Sequence, residues 1–202
     1  MKKVDTIYQE KGLLKRREPF GFMLKLGVMG IGLMFSILIL IYLSRMGHTS
    51  WYQFRLPKIF AWSTAVILLS SFALHQANLA IRDDLFLRYR VFLTFTLFLG
   101  ITFCYLQYLG WVQMQKMGVF LNKSLAGAFI YVISGLHVLH ILGGIFFLTI
   151  AWIEAIRYRK YVDSFVYSVN PPNQLRLRLI TYYWHFVDIL WVFLFLLFVL
   201  NH

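Results

Sequence analysis

Thiols, acids and evenly spread charge are what this 202-residue chain has least of. There is one cysteine, Cys104, and it lies inside an apolar run. An intrachain disulfide is therefore excluded, and so is a metal centre built on several thiolates. Acidic residues number eight against 20 basic ones. The first two apolar stretches hold no Asp or Glu beyond Glu18 at the entrance, and the later ones hold only Asp188 and the terminal Glu154. That is too little acid for an autonomous proton pump or for a channel lined by a charged ring. No internal repeat, low-complexity tract or extramembrane-sized loop interrupts the pattern. The polar first twenty residues and the lack of a small-residue cleavage site give no expectation of a cleavable signal peptide.

What is abundant is apolar surface. Hydrophobic residues make up 60% of the chain and aromatics 19%, with a mean hydropathy of +0.68. A soluble domain of this size cannot hide so much, because too much of a small fold faces water. Part of the solvent is therefore lipid. The charged residues cluster between long uncharged runs, as they do between membrane spans. The excess of base, +12 at neutral pH, then reads as contact with anionic lipid head groups and not with nucleic acid.

A bilayer core takes about 20 apolar residues in helical form, and an open strand would leave backbone groups unpaired in lipid. The charges bracket five such runs, predicting helical spans at about 24–44, 59–81, 90–114, 125–156 and 178–200. The expected fold is all-α: a single membrane domain, 1–202, made of five transmembrane helices. Lys and Arg concentrate before the first span and in the second and fourth connections, which predicts a cytoplasmic N-terminus and a C-terminus outside. Pro171-Pro172-Asn173 in the longest connection is a strong turn signal.

Polar residues inside spans are costly and so mark candidate sites. The second span carries Thr64, Ser71, His75 and Asn78 and ends at Arg82, all on one helix face. The stripe must meet other helices or a lined cavity, and hydrogen-bonded helix packing is its simplest use. The fourth carries Ser134, His137, His140 and Gly144 on one face. Here the histidines can bond across to a neighbour that the small residues admit. Two histidines a turn apart are also the minimum of a metal site, but no carboxylate accompanies them. The fifth opens Tyr182-Tyr183-Trp184-His185-Phe186-Val187-Asp188 and continues to Trp191. His185 and Asp188 are spaced to pair, and Trp184 and Trp191 suit an interfacial belt. His75 and His185 both fall about 10 Å inside the cytoplasmic ends of their helices, by the rise per residue. A b-type cytochrome with haem between them is thus one competing reading. The aromatic neighbours of His185 leave little room for such a pocket. A small transporter using the polar stripes is another, and it would call for paired broken helices that the sequence does not show.

The string Tyr183-Trp184-His185-Phe186-Val187-Asp188-Ile189-Leu190-Trp191, followed by Phe193-Leu194-Phe195, resembles the end of subunit three of cytochrome c oxidase. Ser134-Gly135-Leu136-His137-Val138-Leu139-His140-Ile141-Leu142-Gly143-Gly144 resembles the same family's Gly-Leu-His-x-x-His helix, in matching order and separation. Leu69-Ser70-Ser71-Phe72-Ala73 is similar more loosely. The resemblance covers roughly 55–202 and suits the five-helix bacterial form of the subunit. It implies an accessory subunit of a proton-translocating haem–copper oxygen reductase in the bacterial cytoplasmic membrane. It further implies haem and copper in partner subunits I and II, none in this chain, bound phospholipid, and scope for a larger respiratory supercomplex. A quinol oxidase or nitric-oxide reductase is the alternative complex. No catalytic, cofactor or metal residue is expected. His75, Asn78, Arg82, His137, His140, Trp184, His185 and Asp188 are the candidate structural or lipid-binding anchors. The resemblance also implies that the first two spans stand somewhat apart from the last three.

Overall fold

The computed structural model describes residues 19–45, 56–121, 125–157, 164–166 and 170–201. The basic residues ahead of the first span lie outside the described residues, as do His48, Arg55, Lys123, Arg159 and Lys160. Within them the chain forms five long helices: α1 (Pro19–Arg45), α2 (Ile59–Arg82), α3 (Phe86–Lys116), α4 (Leu125–Arg157) and α5 (Pro171–Asn201). All five are long and apolar enough to cross a membrane. Helices of 24 to 33 residues exceed the roughly 20 that a bilayer core requires, so the longer ones extend past it.

The helix ends follow local chemistry. α2 turns into α3 through Asp84, whose φ of 55° is left-handed. The Leu85 amide donates to Ala80 O at 2.8 Å, the long-range bond of a Schellman cap. α3 ends in the same way with Gly118 at φ 81°, where the Val119 amide donates to Met114 O and the Gly118 amide to Gln115 O. Glycine takes that conformation without a Cβ penalty, and Asp is tolerated there. α5 starts seven residues before the predicted 178. Pro171 and Pro172 sit in its first turn, where no amide hydrogen is required, and Asn170 O accepts from Asn173 and Gln174. The proline pair thus launches the helix as well as turning the chain.

Packing differs from the expectation that the first two spans form a group apart. α2 packs most closely on α3, and α1 instead meets α5 and α4. The reason is the side chains available. α2 presents Phe60, Ser63 and Ser70 to α3, where Gly110 receives the Phe60 ring and Gln107 donates to Ser63 Oγ at 2.9 Å. Such small and polar residues let two helices approach. α1 offers a stripe of Val28, Phe35, Ile39 and Tyr42, all buried. Tyr42 meets Phe129 of α4 and Phe198 of α5 edge-on, at 5.9 and 6.1 Å between ring centres. α5 is consequently central, touching α1, α2 and α4.

Electrostatic ties fasten the end of the bundle where α3 begins and α4 ends. Arg90 Nε donates to Ala155 O near the C-terminus of α4, where cations suit unpaired carbonyls, and its Nη2 donates to Ser164 Oγ. Arg176 of α5 forms an ion pair with Glu154 of α4.

Candidate functional site

The polar stripe of α2 meets α5 as a ladder of hydrogen bonds. Trp191 Nε1 donates to Thr64 Oγ1 at 3.0 Å. Ser71 Oγ and His185 Nδ1 share a bond of 2.6 Å. Asn78 Nδ2 donates to Thr181 Oγ1 at 2.9 Å and to Leu74 O of its own helix. Beside these, Trp184 Nε1 donates to Ser70 Oγ at 3.1 Å. Four side-chain pairs thus join the two helices over about three turns.

Trp184 and Trp191 do not form an interfacial belt. Both are fully buried. The Trp184 ring lies in a slot between α3 and α4 that glycine makes possible. A Cβ placed at Gly100 would come within 2.8 Å of the ring, and one at Gly144 within 3.1 Å. Gly144 is the small residue singled out on α4, and the element it admits is this indole.

His185 and Asp188 do not pair. The His185 ring turns to Ser71, and the Asp188 carboxylate, 2% exposed, has no hydrogen-bond partner among the described residues. Ser71 lies close to both residues. The stronger pull on His185 is a hydroxyl on the facing helix, which α2 supplies at the same level.

His137 and His140 do not bond across helices either. His140 Nδ1 donates to Leu136 O of α4 itself at 2.7 Å, and Phe35 meets its ring edge-on. The His140 carbonyl accepts from the Tyr183 hydroxyl. His137 is fully buried, with no partner on either nitrogen among the described residues. Three rings enclose it: Trp191 at 5.0 Å, Phe103 at 5.9 Å and Phe35 at 6.4 Å between centres. Edge and tilted arrangements of this kind satisfy an aromatic quadrupole and not a hydrogen-bonding group. Ser134, one turn away, instead accepts from Trp111 Nε1 at 2.9 Å.

A cleft of about 830 Å³ opens between one end of α2 and the first turns of α5. His75, Asn78 and Arg82 of α2 line it, together with Arg178, Thr181 and His185 of α5. The two histidines proposed as a haem pair therefore do share one cleft, and His75 and Arg82 are exposed in it. Among the described residues, no three His, Cys, Asp or Glu side chains gather as metal ligands would.

Gln107, Trp111, Arg90 and the Trp184 slot are the interactions that spacing alone missed. On α3, Gln107 stands four residues after Phe103 and three before Gly110, and Trp111 follows Gln107 by four. Their polarity inside an apolar run was the signal available.

Five apolar helices held by buried cross-helix hydrogen bonds and indole-in-glycine packing define a multi-pass α-helical membrane protein. The family model described as cytochrome c oxidase subunit III matches residues 44–201, and the chain belongs to that family. It is 30% identical over 132 residues to a probable cytochrome c oxidase subunit 3 of Nocardia farcinica, an alignment covering 65% of this chain and 61% of that protein. It is 27% identical over 150 residues to cytochrome c oxidase subunit 3 of Anopheles gambiae, covering 74% and 52%. Against the Gallus gallus protein of the same name it is 28% identical over 134 residues, covering 66% and 47%. The chain thus spans about half to three-fifths of the length of these relatives.

Proposed function

We propose that this chain is a non-redox accessory subunit of a proton-translocating haem–copper oxygen reductase. In this reading it packs against the catalytic subunit I, with subunit II in the same complex, within a bacterial cytoplasmic membrane. The N-terminus is cytoplasmic and the C-terminus outside. Haem and copper belong to the partner subunits, and this chain contributes rigidity, a lipid boundary and support for aerobic electron transport.

The observation that carries the reading is the family match across 44–201, which takes in four of the five helices whole. The bundle's chemistry agrees with it. The polar groups of α2 and α5 are spent largely on holding helices together. Broad apolar faces of α1, α3 and α5 point outward, ready for lipid or for a neighbouring subunit. His75, Asn78, Arg82, His137, His140, Trp184, His185 and Asp188 act here as structural or lipid-facing anchors, not as catalytic groups. The one observation that favours a second reading is the shared cleft of His75 and His185, which a b-type haem would need to bridge.

Purification in mild detergent through a tag on this chain tests both. An optical spectrum and mass spectrometry of co-purifying subunits are the readouts. Haem bands that travel with a large polytopic subunit and leave with it support the accessory subunit. Haem retained by the isolated chain and lost in His75→Ala or His185→Ala overturns it.

A further inference from the structure

The ladder between α2 and α5 encloses one acidic side chain, Asp188, and leaves it unpaired. The residue is buried, and neither carboxyl oxygen has a hydrogen-bond partner among the described residues. A carboxylate taken out of water is costly unless a cation, a donor or a proton neutralises it. The guanidinia of the ladder do not supply the charge. Arg82 and Arg178 both stand at the cleft mouth, and Arg178 is about 15 Å from Asp188 along α5. What does approach is a hydroxyl. Ser71 Oγ lies near the Asp188 carboxyl while it holds His185 Nδ1 at 2.6 Å. His185 is half-buried and lines the cleft beside the exposed His75. Ser71 engages Nδ1 of that ring, which leaves Nε2 to the cleft. In the other direction the interior is closed, because Trp191, Leu194 and Phe198 are fully buried.

Carboxyl, hydroxyl, imidazole and open cleft thus follow one another, and they end blind. We propose that Asp188 is a proton-binding site that exchanges with the cleft through Ser71 and His185. With the proton on Asp188, its O–H donates to Ser71 Oγ, the Ser71 hydroxyl donates to His185 Nδ1, and the imidazole proton is on Nε2. When Nε2 releases that proton to water in the cleft, the Ser71 proton moves to Nδ1 and the Asp188 proton moves to Ser71 Oγ. Asp188 is then a carboxylate that accepts from Ser71, and Ser71 accepts from Nδ1–H. One proton leaves, while the hydroxyl and the imidazole are neutral in both states. The same shifts in reverse reload the acid. The carboxyl must turn onto Ser71 Oγ for the transfer, a rotation within one side chain. A metal ion fits less well, since one carboxyl and one hydroxyl fall short of the six or so oxygens that hard cations collect. The other titratable groups around this segment of α5 are few. α2 brings His75, α3 brings Cys104, and α4 brings His137 and His140. α1 contributes Phe35 there, which does not titrate. None of them is hydrogen-bonded to the Asp188 carboxyl. One acid on a blind branch makes a site and not a path across the membrane, in keeping with the scarcity of acids in the spans.

The proposal does not depend on which complex the bundle joins. The test is infrared difference spectroscopy on the full chain in mild detergent, which reads the carbonyl stretch of a protonated carboxylic acid directly. A band that is lost in Asp188→Asn belongs to Asp188. Asp188→Glu retains the acid and shifts the band, so the assignment does not rest on one variant. Circular dichroism checks that each variant keeps its helices. The band is expected to fade as the pH is raised, to return when it is lowered, and to shift on transfer to heavy water. Ser71→Ala and His185→Phe are each expected to keep the band but to slow its exchange about a hundredfold, the low end of what a positioned proton-transfer group contributes. Ser71→Thr restores the hydroxyl and with it the rate, which a role in packing alone would not do. Absence of any acid band lost with Asp188→Asn overturns the site. A band that neither titrates nor exchanges overturns it in favour of a fixed buried acid. Exchange unaltered in both relay variants overturns the route. A band abolished by sodium chloride at constant pH overturns the proton in favour of a cation. Co-purification of a haem-bearing complex has no bearing on any of these outcomes, so the oxidase reading and this one fail separately.

Discussion

The seam between α2 and α5 and the cage around His137 are neighbours that handle buried polarity in opposite ways. In the seam Thr64, Ser70, Ser71 and Asn78 each find an indole, an imidazole or a hydroxyl on the facing helix. In the cage an imidazole sits among Phe35, Phe103 and Trp191 with no hydrogen bond. Trp191 belongs to both: its N–H enters the seam at Thr64 while its ring face covers His137. The seam fixes register, since each bond is lost if one helix slides by a residue. The cage fixes no register and contributes contact area and ring geometry instead, each pair being worth about 0.5–1.5 kcal/mol. A helical membrane bundle cannot draw on a hydrophobic force between its helices, so it uses both devices.

The largest expected break comes where the seam is anchored by volume. Trp184→Ala removes an indole that is fully buried, breaks the bond to Ser70, and leaves a void between two glycines. Unfolding free energy in mixed micelles should fall by about 3–5 kcal/mol. A fall under 1 kcal/mol would show that α3 and α4 close over the gap. The converse change is Gly100→Ala. Its methyl would meet the Trp184 ring at 2.8 Å, and Gly144 already lies close against the same ring. Overpacking of this kind costs about 1–3 kcal/mol. Combining it with Trp184→Phe should recover part of that loss, which a purely backbone effect of the alanine would not do.

Next in size is a difference of sign. His137→Phe replaces an unbonded polar ring with an apolar one inside a cage of aromatics. It should be neutral or stabilising by up to about 1 kcal/mol, because an unsatisfied buried group is relieved. His185→Phe removes the bond to Ser71 and should cost about 1 kcal/mol. Paired unfolding measurements on the two variants decide whether the seam and cage differ in energy as they do in geometry. Equal losses would mean that His137 gains a partner in the assembled protein.

The seam was largely legible in the sequence, and the cage was not. Thr64, Ser71, His75, Asn78 and Arg82 stand at helical spacing in an otherwise apolar run, and that period is a property of one segment. Their partners could be guessed only as a neighbouring helix. The cage draws one aromatic each from α1, α3 and α5. A single Phe in a helix that is apolar all round leaves no periodic trace. The Trp184 slot was hidden for a related reason: Gly100 is meaningful only once the facing indole is known. Span ends were readable from charge where a helix stops at the membrane surface, as α2 does at Arg82. The start of α5 was not. Its first turns carry Arg176 and Arg178, which look like loop in a hydropathy reading yet fold into helix. There they reach Glu154 and the cleft.

The smallest expected effect is the most direct measure of what holds the seam in register. Across α2 and α5, Asn78 Nδ2 donates to Thr181 Oγ1 at 2.9 Å, while the one Thr181 hydroxyl proton is shared between Leu177 O at 2.9 Å and Asn78 Oδ1 at 3.3 Å. Each also bonds a carbonyl of its own helix, Asn78 to Leu74 and Thr181 to Leu177. Those local bonds persist in a helix that has separated from its neighbour, so much of each side chain's hydrogen bonding survives dissociation. The coupling from a double-mutant cycle of Asn78→Leu and Thr181→Val should therefore be small, about 0.6 kcal/mol. Single substitutions would cost more than the coupling, since each strands a polar partner. A coupling above about 1.7 kcal/mol would exceed what such bonds reach inside membranes. The pair would then be helping to order the cleft beside it as well as joining two helices. A coupling near zero would assign the register of the seam to the three remaining pairs, at Trp184, His185 and Trp191.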